Sequence, residues 1–290
     1  MTKPFYVHLG IVRTGSSSVR RLVREYCQIS QETCSHYPET EQEPIMDQTK
    51  YLFMECPFPF HRGTGRSCQY FTTIRNPIDS VISEYFFYLE RQEIDPSVSL
   101  DDYISALPRS YNKQARWIAA INSEDSDLHR TDQPRTMCED GFYKDISDQE
   151  LLMQVQVSAQ KHFPVIGLLE RMEETAFLLA NHLGWQRVPY VSRMNPSFRQ
   201  AVIKKEKPTE LQISKIQECN KVDILLYGAV EQNFNQQMIR VKSQFGPLLE
   251  TYSIACKEKD DEMMAKRENV FQKIKDLPTQ NSVHQNLLIR

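Results

Sequence analysis

The chain has 290 residues, 40% of them hydrophobic and 25% charged. That balance excludes a disordered or fibrous protein and suits one α/β domain with a sizeable core. Lys plus Arg number 35 against 38 Asp plus Glu, a formal net charge of -3, so no dedicated nucleic-acid binder is expected and any anion site must be local. The seven cysteines show no C-x-x-C spacing, which argues against a zinc or thioredoxin-like site and makes a disulfide framework unnecessary. The apolar part of the opening MTKPFYVHLGIV is too short for a signal sequence, and no run reaches the ~18 apolar residues that span a bilayer. The expectation is a cytoplasmic protein with no membrane partner.

Phe5 to Leu9, rich in aromatic and branched residues and ending at Gly10, predicts a buried first strand. Val19, Leu22, Val23 and Tyr26 then recur at helical spacing behind serines suited to a helix start. After a polar stretch from Ser35 to Gln48, Tyr51–Met54 reads as a second strand, followed by an exposed loop CPFPFHRGTGR. Gln69–Ile74 reads as a third strand, and Pro77 opens a helix whose stripe is Ile78, Val81, Ile82, Tyr85, Phe86 and Leu89. Residues 101–122 predict two helical pieces broken near Pro108, residues 123–143 a polar, substrate-facing excursion, and residues 149–161 a further helix. Phe163–Leu168 predicts a late strand, and the helix after it closes at Gly184. Residues 209–220 and 221–243 predict one or two more helices, and a charge-rich tail begins at Lys257. Strands alternating with helices imply a parallel sheet.

The segment Gly10-Ile11-Val12-Arg13-Thr14-Gly15-Ser16-Ser17 has the G-x-x-x-x-G-K-[ST] spacing of a nucleotide-binding loop, with Ser16 in the place of the lysine. A strand feeding such a loop and then a helix N-terminus gathers backbone N–H groups where the helix dipole favours an anion. Losing the lysine weakens an ATPase or GTPase reading, while Arg13 supplies a forked cation and Thr14, Ser16, Ser17 and Ser18 add hydroxyl donors. The same residues would also serve as a serine-rich helix cap. Arg75 at the end of the third strand, with Ser83 two turns into the next helix, forms a second candidate anion site at the sheet edge where α/β proteins bind ligands. An arginine there can equally cap carbonyls.

These segments resemble the sulfotransferases that use 3′-phosphoadenosine-5′-phosphosulfate (PAPS), in particular the branch with heparan-type carbohydrate O-sulfotransferases. That family's first loop reads about H-x-P-K-T-G-G-T-S, against Gly10 to Ser18 here, and its second motif L-R-D-P-V-x-R-x-x-S-E-Y-Y-Y is similar to Ile74-Arg75-Asn76-Pro77 through Ser83-Glu84-Tyr85-Phe86-Phe87. Asn112-Lys113-Gln114-Ala115-Arg116, Val165 to Glu170, Gly184-Trp185, the Asn195-Pro196-Ser197 loop, and Asp223 to Tyr227 with Phe234 extend the resemblance over roughly residues 5–240. It implies a P-loop-like α/β sulfotransferase fold, with residues 1–255 as one domain and 256–290 as a charged helix and tail.

The resemblance further implies a donor site made by Arg13, Thr14, Gly15, Ser16, Ser17, Ser18, Arg75, Ser83, Arg116, Asn195 and Ser197. Within it Arg13 replaces the family's lysine at the 5′ phosphosulfate, and Arg75 and Ser83 hold the 3′-phosphate. No metal is required, the product is adenosine 3′,5′-bisphosphate (PAP), and the partner is a carbohydrate or small-molecule acceptor carrying a hydroxyl or an amine.

Two departures touch the chemistry. Pro57 stands where many members carry the basic histidine, which leaves His61 as the first candidate base and Glu55 as the second. Arg13 in place of lysine can stabilise charge but hardly donates a proton. A P-loop small-molecule kinase and a PAPS-binding pseudoenzyme or scaffold are the alternative readings.

Overall fold

A computed structural model of the chain describes residues 5–36, 49–55, 57, 59–63, 67–106, 111–122, 146–190 and 207–275. The excursion expected at 123–143 and the Asn195–Ser197 loop lie outside them.

Five strands form one sheet: β1 (Phe5–Leu9), β2 (Cys34–His36), β3 (Tyr51–Met54), β4 (Cys68–Ile74) and β5 (Val165–Leu168), in the order β2-β3-β1-β4-β5. Every pairing is parallel. Central β1 is buried at all five positions, as expected when helices cover both faces of a parallel sheet. β2 is the element that sequence reading misses, merging it into the polar stretch that follows. It has three half-buried residues and no apolar run, so only its pairing with β3 marks it as a strand.

The helices are α1 (Ser16–Ser30), α2 (Phe60–Gly63), α3 (Pro77–Glu90), α4 (Leu100–Ala106), α5 (Lys113–Ala120), α6 (Asp148–His162), α7 (Met172–Leu183), α8 (Glu210–Cys219) and α9 (Lys221–Lys275). α1 buries Val19, Leu22, Val23, Tyr26 and Cys27 along one stripe, and Tyr26 stacks on Trp185 with ring centroids 4.3 Å apart. α3 starts as the sequence predicts. Pro77 occupies its first turn, where no N–H is needed, and the Asn76 side chain accepts from the Ile78 N–H.

α9 departs from expectation. The sequence reading ends one helix at Ser243 and expects a separate charged helix from residue 256, yet helix runs on from Lys221 to Lys275, interrupted at Phe245 (φ −129°, ψ 15°) just before Gly246 and Pro247. Proline lacks the N–H for the i−4 bond and crowds that carbonyl, so the chain kinks there. The helix then runs on through residue 255.

Connectivity defines the edge that matters. From β1 the chain passes through α1 to β2 and β3 on one side, then crosses β1 to reach β4 and β5 on the other. The order therefore reverses between the adjacent strands β1 and β4. In an open α/β sheet the crevice at the carboxyl ends of such a strand pair is where ligands bind. Gly10 and Arg75 are the first residues past those two ends.

Candidate anion-binding site

The loop after β1 is shaped by two close approaches. A Cβ on Gly10 would lie 3.1 Å from the Met54 carbonyl oxygen and 3.3 Å from Ser16 Cβ, so glycine lets the strand end press against the start of α1. Gly15 has φ +88°, and a Cβ there would stand 2.5 Å from Leu169 Cδ1. Thr14 is fully buried, its hydroxyl donating to the Ile11 carbonyl. That bond turns the chain within the loop.

Gly15 is the N-cap of α1 and has no side chain to satisfy the first-turn donors. The N–H groups of Ser16 and Ser17, the first two helical positions, have no acceptor within the helix. With their hydroxyls they make an anion-favouring terminus, half-buried and bounded by Gly10.

The second group of residues converges on the same edge. Arg13 Nε and Nη2 donate to Ser83 Oγ on α3 at 3.0 and 2.9 Å. The Arg13 guanidinium also lies 4.8 Å from the Phe87 ring centroid, one turn beyond Ser83. Burial, and after it the charge of Arg75, hold the Arg13 pKa below the ordinary arginine value, while Glu90 and Glu84 pull it back up. An anion bound there would relieve the repulsion that Arg75 exerts on Arg13.

Arg75 is fixed through its backbone. Gln114 at the start of α5 accepts from the Arg75 N–H at 2.8 Å and donates to its carbonyl at 2.9 Å. The next N–H, of Asn76, donates to Glu170 after β5 at 2.8 Å. Gln114 is held in turn because α5 and α9 cap each other. Asp223 accepts from the Gln114 and Ala115 N–H groups at 3.2 and 2.7 Å. Asn112 accepts from the N–H groups of Val222 and Asp223 at 2.9 and 3.2 Å. Burial pushes the Asp223 carboxyl up to about 6 against these N–H bonds and Arg116. Under Ser83, the buried Glu84 carboxylate pairs with Lys113 and accepts from Tyr88.

No protein-family model matches this chain, and no curated protein matches it either.

The structure thus brings Arg13, Thr14, Gly15, Ser16, Ser17, Ser18, Arg75 and Ser83 to one sheet edge. Arg116 is 4% exposed, with Asp223 and Glu84 as its charged neighbours, so it lies beneath the site. Asn195 and Ser197 lie outside the described residues.

The two candidate bases are far apart. Glu55 follows β3 at the same edge, its Cγ 3.6 Å from where a Gly10 Cβ would be, and it accepts from Arg20 of α1 at 2.8 Å. Arg20 also meets His36 Nε2 at 3.0 Å. His61, on α2, bonds Tyr70 through Nδ1 at 3.0 Å and packs on His162 with centroids 4.2 Å apart. Tyr70 precedes Arg75 by five residues of strand, about 16 Å, so His61 sits toward the opposite edge of the sheet. Burial, then Arg62 and Lys161, push His61 down to about 4.

Sequence reading misses the supports: Arg20 against Glu55, and Glu170 against Asn76. A cavity of about 550 Å³ between α7 and the second half of α9, lined by Phe177, Trp185, Phe245, Leu248 and Tyr252 among others, is apolar and away from these groups. Among the described residues no helix is long and apolar enough to cross a membrane.

Proposed function

We propose that the chain is a PAPS-dependent sulfotransferase that moves a sulfuryl group to a hydroxyl or amine of a carbohydrate or small-molecule acceptor. The observation that carries this reading is the pair of anion-binding groups at the β1/β4 switch point. One is a helix N-terminus behind Gly15. The other joins Arg13 of the same loop to Arg75 at the neighbouring strand end and Ser83 on α3. PAPS carries two separated anionic groups on one nucleoside, and such a divided site suits it. A linear triphosphate would leave the second group unused.

In this reading the α1 terminus and the hydroxyls of Ser16 and Ser17 hold the 5′ phosphosulfate, and Arg75 and Ser83 hold the 3′-phosphate. The acceptor oxygen or nitrogen attacks sulfur in line as the bond from sulfur to the bridging oxygen breaks. The electron pair of that bond leaves on the 5′-phosphate of PAP. Stabilising this charge is the work of oriented N–H groups. Glu55, rather than His61, takes the acceptor proton, because it borders the loop that holds the sulfuryl donor. The fold in this reading is that of the sulfotransferases.

A donor-binding protein without transfer activity is the second reading, favoured by Pro57 in the expected histidine position and by the Arg20–Glu55 ion pair. Transfer of labelled sulfate from PAPS to a panel of sugars, phenols and amines separates the two. Transfer to any acceptor that is lost in Glu55→Gln supports the enzyme. Tight PAP binding with no transfer to any acceptor supports the scaffold.

A further inference from the structure

Arg13 stands in the loop where a cation would be expected to serve the phosphate at the start of α1. Its side chain goes elsewhere. The backbone at Arg13 is left-handed, with φ 67°, a conformation that a non-glycine residue adopts at a cost. The guanidinium reaches α3, where both donors of its Nε/Nη2 edge are spent on the single oxygen of Ser83. That edge is the fork that matches two oxygens of a phosphate, and one hydroxyl oxygen uses it incompletely. Phe87 supports the guanidinium 4.8 Å from the ring centroid, the Arg91 guanidinium lies 5.0 Å from the same ring, and the positive charge of Arg75 acts on Arg13. Glu90 and Glu84 act on Arg13 with the opposite sign.

We propose that Arg13 belongs to the 3′-phosphate subsite with Arg75 and Ser83, and determines specificity for that phosphate rather than stabilising the leaving 5′-phosphate. The inference rests on the donor reading above and changes which end of the donor Arg13 serves. A phosphate dianion entering between Arg13 and Arg75 would meet both guanidinium groups, with the Ser83 hydroxyl as a further donor. The 5′ end is then left to the α1 terminus and its serines.

Calorimetric titration of the full chain with PAP and with adenosine 5′-phosphate tests this, because the two differ only by the 3′-phosphate. Wild-type protein should prefer PAP. Arg13→Gln should lose about tenfold to a hundredfold of that preference, the range of a hydrogen bond to a charged group, with little change for adenosine 5′-phosphate. Arg13→Lys keeps one charge without the fork and should lose part of the preference. It is the second variant if Arg13→Gln does not fold by circular dichroism. If both affinities fall together and the preference persists, Arg13 serves the 5′ end and the inference is overturned. If wild-type protein shows no preference for PAP, the donor reading fails and the subsite with it.

Discussion

Gly15→Ala tests whether the loop geometry is dictated by its residues. At φ +88°, an alanine incurs the left-handed penalty of about 1–2 kcal/mol. Its Cβ would also lie 2.5 Å from Leu169 Cδ1 and 2.9 Å from Met172 Cε. Both contacts are side-chain ends that can shift, so the added overpacking is at the ordinary scale of about 1–3 kcal/mol. The expected loss is therefore about 2–5 kcal/mol by urea unfolding, with a lower midpoint and unchanged slope. Adding Leu169→Ala should make Gly15→Ala cheaper by removing the closer of the two contacts, leaving the backbone term of about 1–2 kcal/mol and the Met172 contact. Because Gly15 caps α1, PAP affinity should fall as well. A loss within the ~0.5 kcal/mol of ordinary surface substitutions would refute the claim that this position requires glycine.

Lys113→Met removes the ion-pair partner of the buried Glu84 carboxylate and should destabilise by about 3–5 kcal/mol. Glu84→Gln added to it should recover much of that loss, by the same unfolding assay. Asp223→Ala removes the acceptor for two α5 N–H groups and should cost about 1–2 kcal/mol. It should also weaken PAP binding, because Gln114 would hold Arg75 less firmly. Burial keeps His61 and His162 neutral, each pushed down to about 4. Unfolding therefore takes up protons, and stability should drop as pH falls from 6.5 toward 4. Asp223, raised to about 6, acts oppositely, its contribution falling as pH rises from 3.8 toward 6. The test is therefore the difference made by His61→Asn/His162→Gln, which should flatten the acid-side decline in denaturation midpoint. An unchanged pH profile would count against the buried-imidazole assignment.

Sequence patterning revealed the strands and helices that carry their own signal. β1 and β3 are compact apolar runs, α3 has Pro77 and Asn76 at its start, and α7 ends at Gly184. β2 was not legible because its three residues are held by pairing alone. The continuity of α9 across residues 244–255 was not legible, because Gly246 and Pro247 disfavour helix although it resumes beyond them. The two anion groups were visible as a glycine-bounded loop and an Arg-Asn-Pro strand end, because backbone geometry constrains those residue types. The direction of the Arg13 side chain was not, since contact with Ser83 depends on how α3 packs beside the loop. The preference for Glu55 in the proposed function rests on a similar feature of the fold. His61 and Glu55 are six residues apart in sequence, yet β3 ends at the ligand edge and the chain then turns back toward the start of β4.

The proposed site is divided so as to take a nucleotide with phosphate at both the 3′ and 5′ positions. Titration of the full chain with PAP and, separately, with ATP and magnesium tests it most directly. PAP should bind more tightly than ATP, independently of magnesium, and Arg75→Ala should weaken its binding. Tighter binding of ATP, dependent on magnesium and indifferent to Arg75→Ala, would contradict it.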